Sequence, residues 1–225
     1  MKLKKIASLA LAGIMAVSML AGCKDGTSQE DPSSSSQVPA TTDVVTYAND
    51  ALSGPEKEVM TFTNSDSLNT LLQKVATDPS NFSSKDIADV FDDFTLRSTV
   101  TNNNAYATDL TVDMVNGMTG QRSNAFAALD TLPVDKSSQK VVVIGIISGN
   151  VEEKAAVQKF VDAYAGFFDS EFPAKIVDGS DSYACDYAGE ISAIKVTNPE
   201  NSNESAWVMA IVATQTVTKT ANASV

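Results

Sequence analysis

The chain has 225 residues, with 28 acidic side chains against 16 basic ones, no histidine and two cysteines. A formal charge of −12 repels nucleic-acid phosphates and anionic lipid headgroups, so nucleic acid is excluded as the expected partner. With no histidine and cysteines only at 23 and 185, the usual zinc and copper sites cannot be assembled, and no metal or other cofactor is expected.

Residues 1–22 open Met-Lys-Leu-Lys-Lys and continue as an apolar run over residues 6–20 whose only polar members are Ser8 and Ser18. This is the charged and then apolar pattern of a secretory signal peptide, shorter than the roughly 20 residues that span a bilayer. Leu20-Ala21-Gly22-Cys23 closes the run and resembles the lipobox of bacterial lipoproteins. The resemblance implies that Cys23 is the lipidation site. Its thiol would carry a diacylglyceryl group and become the first residue after cleavage, anchoring an exported chain to the bacterial membrane with the domain on the extracytoplasmic side. Two acyl chains are enough for stable anchoring. Loss of Lys2, Lys4 and Lys5 with the signal moves the net charge from −12 to −15, so attachment would rest on the lipid rather than on a basic patch.

Residues 23–45 are rich in Ser, Thr, Asp and Pro, include four consecutive serines, and lack the apolar side chains needed to fold. They read as a disordered tether with an r.m.s. span of about 25 Å. Residues 46–225 are expected to form a single α+β domain, helical over about 64–132 and strand-rich over about 138–217.

Leu68, Leu71, Leu72, Val75 and Ala76 recur at helical spacing, with Ser65, Asp66 or Ser67 as cap and Pro79 beyond the end. A second helix is predicted over residues 84–94, with Ile87, Val90, Phe91 and Phe94 on one face. Asp86, Asp89 and Asp93 on its other side read as a solvated helix face rather than a cation site. A third helix is predicted over 105–118, with Leu110, Met114 and Met118 as core filling, and a short fourth one holds Phe126 and Leu129.

The period then changes. Residues 140–149, KVVVIGIISG, form a continuous β-branched run, as in a strand buried on both faces. Asn150 is the expected cap of a following helix with Val157, Phe160, Val161, Tyr164 and Phe168 as its apolar stripe, which makes one βα unit. Further strands are predicted at 174–177, 183–187, 191–196 and 206–217, with Gly189 and the loop NPENSNES as breaks. The expected architecture is N-terminal helices packed on a mixed or antiparallel sheet of about four to five strands. Residues 206–217 are apolar on both faces, so either helices cover both or one face is left for binding.

No catalytic motif accompanies this pattern. The strand-to-helix turn at residues 146–154 carries Glu152 and Glu153 where an anion would bind, and neither a glycine-rich dinucleotide pattern nor a phosphate loop is present. DGSDS at residues 178–182 lacks the spacing of a calcium hand and reads as a turn. SSK at residues 83–85 misses the serine-x-x-lysine spacing of a nucleophilic serine. Cys185 has no histidine to serve as its base and lies beside Asp186, so it reads as a small buried hydrophobe. The expectation is a membrane-anchored envelope lipoprotein whose domain binds a ligand or partner protein without catalysis. The alternative is an exported hydrolase working through two carboxylates.

Overall fold

The computed structural model describes residues 42–98 and 105–220, which fall in one compact unit. The expected signal segment, Cys23 and the expected tether up to residue 41 lie outside the described residues. The tether boundary expected at residue 45 is corrected. Helix α1, Thr42–Ala51, is already in place there, and Val44 and Ala48 are buried on its inner face.

After α1 come α2 (Gly54–Val59), the two-residue strand β1 (Phe62–Thr63), α3 (Asp66–Ala76), α4 (Ser84–Phe91), β2 (Arg97–Ser98), α5 (Ala105–Gly117) and β3 (Arg122–Ser123). A 3₁₀ turn at Phe126–Asp130 precedes β4 (Ser138–Ser148), α6 (Glu153–Ala165), α7 (Phe168–Glu171) and strands β5 (Lys175–Asp178), β6 (Asp181–Thr197) and β7 (Ser205–Thr220). The fold is α+β. Among the described residues the seven strands form one mixed sheet in the order β1-β6-β7-β4-β2, with β3 paired to β4 and β5 to β6. Its backbone is the antiparallel β6-β7-β4 unit, while β1 and β3 add parallel edges.

Helices cover the sheet on both sides. Alternate residues of β4 and β7, among them Val143, Ile147, Met209 and Ile211, pack with α1 and α6. The intervening set, Val142, Ile144, Ile146, Val208, Ala210 and Val212, packs with α3, α4 and α5. The two apolar faces of β7 are therefore both core, and no exposed binding face remains over residues 206–213. β4 is followed by α6, which is the expected βα unit.

Four local expectations are corrected. The helix expected to reach residue 94 stops at Phe91, because Asp93 accepts from Thr95 N at 2.9 Å and starts a turn that competes with the helix, leaving Phe94 56% exposed. Helix α6 is capped by Glu152 rather than Asn150, since residues 148–151 close a turn held by Ser148, whose Oγ accepts from Asn150 N at 3.1 Å. The sheet has seven strands rather than four to five, because β1, β2 and β3 are too short to show any period.

Gly189 does not break a strand but lies inside the continuous β6. A Cβ there would stand 2.9 Å from the Thr61 carbonyl oxygen, so the glycine admits the close approach of β1.

The end of the sheet beyond the helical layers is tied by side-chain amides. Gln139 donates to the carbonyls of Ala128 and Thr131 and to Gln215 Oε1, and Gln215 donates to Leu129 O and to the Tyr187 hydroxyl. Both glutamines are buried, and this satisfied network clamps the 3₁₀ turn onto the strands.

Candidate functional site

Helix α3 starts at Ser65, whose hydroxyl accepts from Leu68 N, and it buries Leu68, Leu72, Val75 and Ala76. Leu71 falls beside that stripe and is only half-buried. Helix α5 buries Ala107, Leu110 and Met114, while Met118 past its end is half-buried. The two helices touch where Gly117 meets Leu71, and a Cβ on Gly117 would collide with Leu71 Cδ1. Beside this contact they part over β7 and leave a groove of about 240 Å³.

Leu68, Leu71 and Met118 form the apolar walls of the groove, Val212 lies on its floor, and Ser67 and Thr119 stand at its rim. Lys140 of β4 and Glu190 of β6 also line it. Both charged side chains are half-buried, and among the described residues neither head takes part in an ion pair or a hydrogen bond. Partial burial of an unpaired charge costs free energy that a complementary ligand would return. Glu190 lies on the strand under α3, whose N-terminal end favours negative charge. Lys140 lies on the strand under α5, whose C-terminal end favours positive charge. Arg122, the register partner of Lys140, adds positive charge on the same side. Leu71 and Gly117 also border a second hollow of about 270 Å³, where Lys74, Asp78 and Asp113 stand.

A wider bowl of about 540 Å³ lies between α4 and the turn at residues 198–204. Most of its polar side chains already have partners. Asn198 donates to Ser84 O and Glu204, Asn201 donates to Glu204, and Lys85 pairs with Asp89. It is a held loop rather than a receptive site.

The three aspartates of the α4 segment do not converge on a common point. Asp86 accepts from Ser83 in a capping box, Asp89 accepts from Lys85 and the Tyr106 hydroxyl, and Asp93 accepts from Thr95 and Arg97. Each carboxylate therefore has its own local partner. These bonds hold the Asp89 and Asp93 carboxyls below their ordinary range. Ser83 is a helix cap, and DGSDS is the β5–β6 hairpin with Gly179 at φ 61° and its two aspartates paired to Lys136 and Lys219.

Cys185 is buried against Tyr183 and Val217, and burial first, then the nearby Asp186 charge, push its thiol up. That environment opposes the thiolate needed for attack. Glu153 is held above the ordinary carboxylate range, mainly by burial and secondarily by the charge of Asp43. Neither of these acids lines the hollows described above. Among the described residues no group of three or more potential ligands could hold a metal ion, and no helix is long and apolar enough to cross a membrane.

Lys140, Glu190, Leu71 and Gly117 escape sequence reasoning as a group. Strand parity carries part of the signal: Lys140 is in phase with Val142 and Ile144, and Glu190 with Ile194 and Val196, on a face that helices cover. Treating Gly189 as a break hides the second phase.

Comparison with family models, with curated proteins and with solved structures finds no match to this chain.

Proposed function

We propose that this protein is an exported lipoprotein, anchored through Cys23, whose α+β domain captures a small ligand in the α3–α5 groove without converting it. The observation that carries the binding part is the pair of half-buried charged side chains, Lys140 and Glu190, whose heads lack an ion-pair or hydrogen-bond partner among the described residues, in a groove walled by Leu68, Leu71 and Met118. The hydroxyls there do not form a nucleophile–base pair. Ser67 Oγ is 3.0 Å from Ser65 Oγ, which caps α3, and Thr119 is exposed at the rim. The anchoring part rests on Leu20-Ala21-Gly22-Cys23 directly after an apolar run. Confinement at a membrane raises effective concentration and lets a modest affinity serve.

The test uses the detergent-solubilised full chain and its Cys23→Ser variant. Mass spectrometry is expected to find a diacylated Cys23 as the first residue of the wild type, and the variant is expected to leave the membrane fraction or stay unprocessed. Equilibrium dialysis of the wild type against a small-molecule extract is expected to retain a compound that mass spectrometry recovers unchanged. Conversion of the retained compound, abolished by changing one carboxylate, would replace this reading with the exported hydrolase.

A further inference from the structure

The groove's two charges stand in a geometry that selects among ligand classes. Val142, Val212 and Glu190 are register partners across β4, β7 and β6, and Lys140 lies two residues before Val142 on the same face. The Cα atoms of Lys140 and Glu190 are thus two strands apart and two residues out of step, about 12 Å by ordinary strand spacing and rise. Opposite charges so placed can each lean over the floor without neutralising the other. A ligand with one charge would leave the other head unpaired. A dicarboxylate would set an anion against Glu190, and a diamine would set a cation against Lys140. Only a ligand carrying both signs on one small frame satisfies the two heads together.

We propose, resting on the groove reading above, that the ligand is a free amino acid with an apolar side chain. Its carboxylate accepts from Lys140 Nζ, its ammonium donates to the Glu190 carboxylate, and its side chain packs on Leu68, Leu71 and Met118 over Val212. The size agrees: about 240 Å³ holds on the order of eight water-sized volumes, room for a branched apolar amino acid. Gly117 sets the width. Its φ is not positive, so alanine is compatible with its backbone, but the added Cβ would drive Leu71 from its present position.

Calorimetric titration of the full chain in detergent tests this with leucine, N-acetyl-leucine and leucine methyl ester, the last two each lacking one charge. Leucine is expected to bind the wild type at least tenfold more tightly than either derivative. Lys140→Gln is expected to weaken leucine tenfold or more and bring it level with the methyl ester. Glu190→Gln should bring leucine level with N-acetyl-leucine. Gly117→Ala should weaken leucine while preserving the helical circular-dichroism signal, and Lys57→Gln on exposed α2 should change nothing. If N-acetyl-leucine or the methyl ester binds the wild type as tightly as leucine while groove variants still weaken it, the amino-acid assignment falls and the groove stands. The amino-acid assignment also falls, with the groove intact, if dialysis retains a groove-dependent compound that lacks one of the charges. If neither titration nor dialysis detects a bound compound, or binding ignores all three groove variants, both readings fall.

Discussion

On the face under α1 and α6 aromatic rings interlock, whereas on the opposite face α3 and α5 meet through aliphatic side chains and leave a charged groove between them. Phe126 on the 3₁₀ turn stands edge-on to Tyr164, with centroids 5.5 Å apart, and to Phe172 at 5.4 Å, while Phe160 and Tyr164 meet at 5.2 Å. Rings locked edge to face fill their layer and add to area burial. Across the sheet, Leu71 and Met118 are half-buried, and Leu71 packs so close to Gly117 that a Cβ there would collide with it. The difference teaches where to look for function in a chain without catalytic motifs: on the face whose packing is incomplete and whose residual charges lack partners.

The largest expected effect breaks the well-packed face. Phe126→Ala removes a ring that is 5% exposed and touches four other aromatic rings, so it should cost about 3–5 kcal/mol. Leu71→Ala on the groove face removes a half-buried side chain and should cost about 1 kcal/mol or less. Chemical denaturation of the two variants side by side measures the contrast, and equal losses would mean that the faces do not differ in packing as described.

An intermediate effect concerns the sheet's far end, which belongs to neither face. Cys185→Ala trims a small buried cluster with Tyr183 and Val217 and should cost on the order of 1 kcal/mol, with ligand binding unchanged. The native thiol should react with a thiol probe much more slowly than the unfolded one at neutral pH. Rapid labelling of the native protein would show that this end opens readily.

The smallest effect sharpens the comparison electrostatically. Burial raises the folded-state pKa of Glu153 above its unfolded value, and the charge of Asp43 adds to this. The folded state then binds more protons at this group across that window, so Glu153 contributes a loss of stability as pH rises from the ordinary glutamate range through the raised value. Glu153→Gln removes that loss. The difference between the two proteins should stay within about 0.5 kcal/mol, because the half-buried group keeps part of its contact with solvent. Denaturation midpoints of both proteins from pH 4 to pH 7 read the sign, and an opposite slope would place Glu153 in a stabilising ion pair instead.

Periodicity made much of the fold legible. The stripe of Leu68, Leu72, Val75 and Ala76, the β-branched run of β4 and the spacing of Val157, Phe160, Val161 and Tyr164 each identify an element, because burial of one face repeats at a fixed interval. Helix α1 was not legible, since Thr42 and Asp43 continue the polar composition of the preceding residues and only Val44 and Ala48 against α6 reveal it. The spacing of Phe94 fits the helix, whereas the Asp93 turn ends the helix first. Of the groove, Lys140 and Glu190 resemble ordinary strand-end charges in the linear chain, and Leu71 resembles ordinary core.

The sequence alone determined the alternation of helical and extended periods, the apolar character of β4 and β7 on both faces, the absence of histidine chemistry, and the lipobox-like tetrapeptide that motivates export. These follow from local propensity and from the fixed intervals at which side chains return to one face. Tertiary structure decided the pairing of β6 with β7 and of β7 with β4, the unbroken path of β6 past Gly189, and the contact of Gly117 with Leu71. Those are long-range events, and only they bring Lys140 and Glu190, fifty residues apart in sequence, into one groove. A strand records in its own residues which face is apolar, but not which strands lie beside it, and therefore not which charges will share a floor.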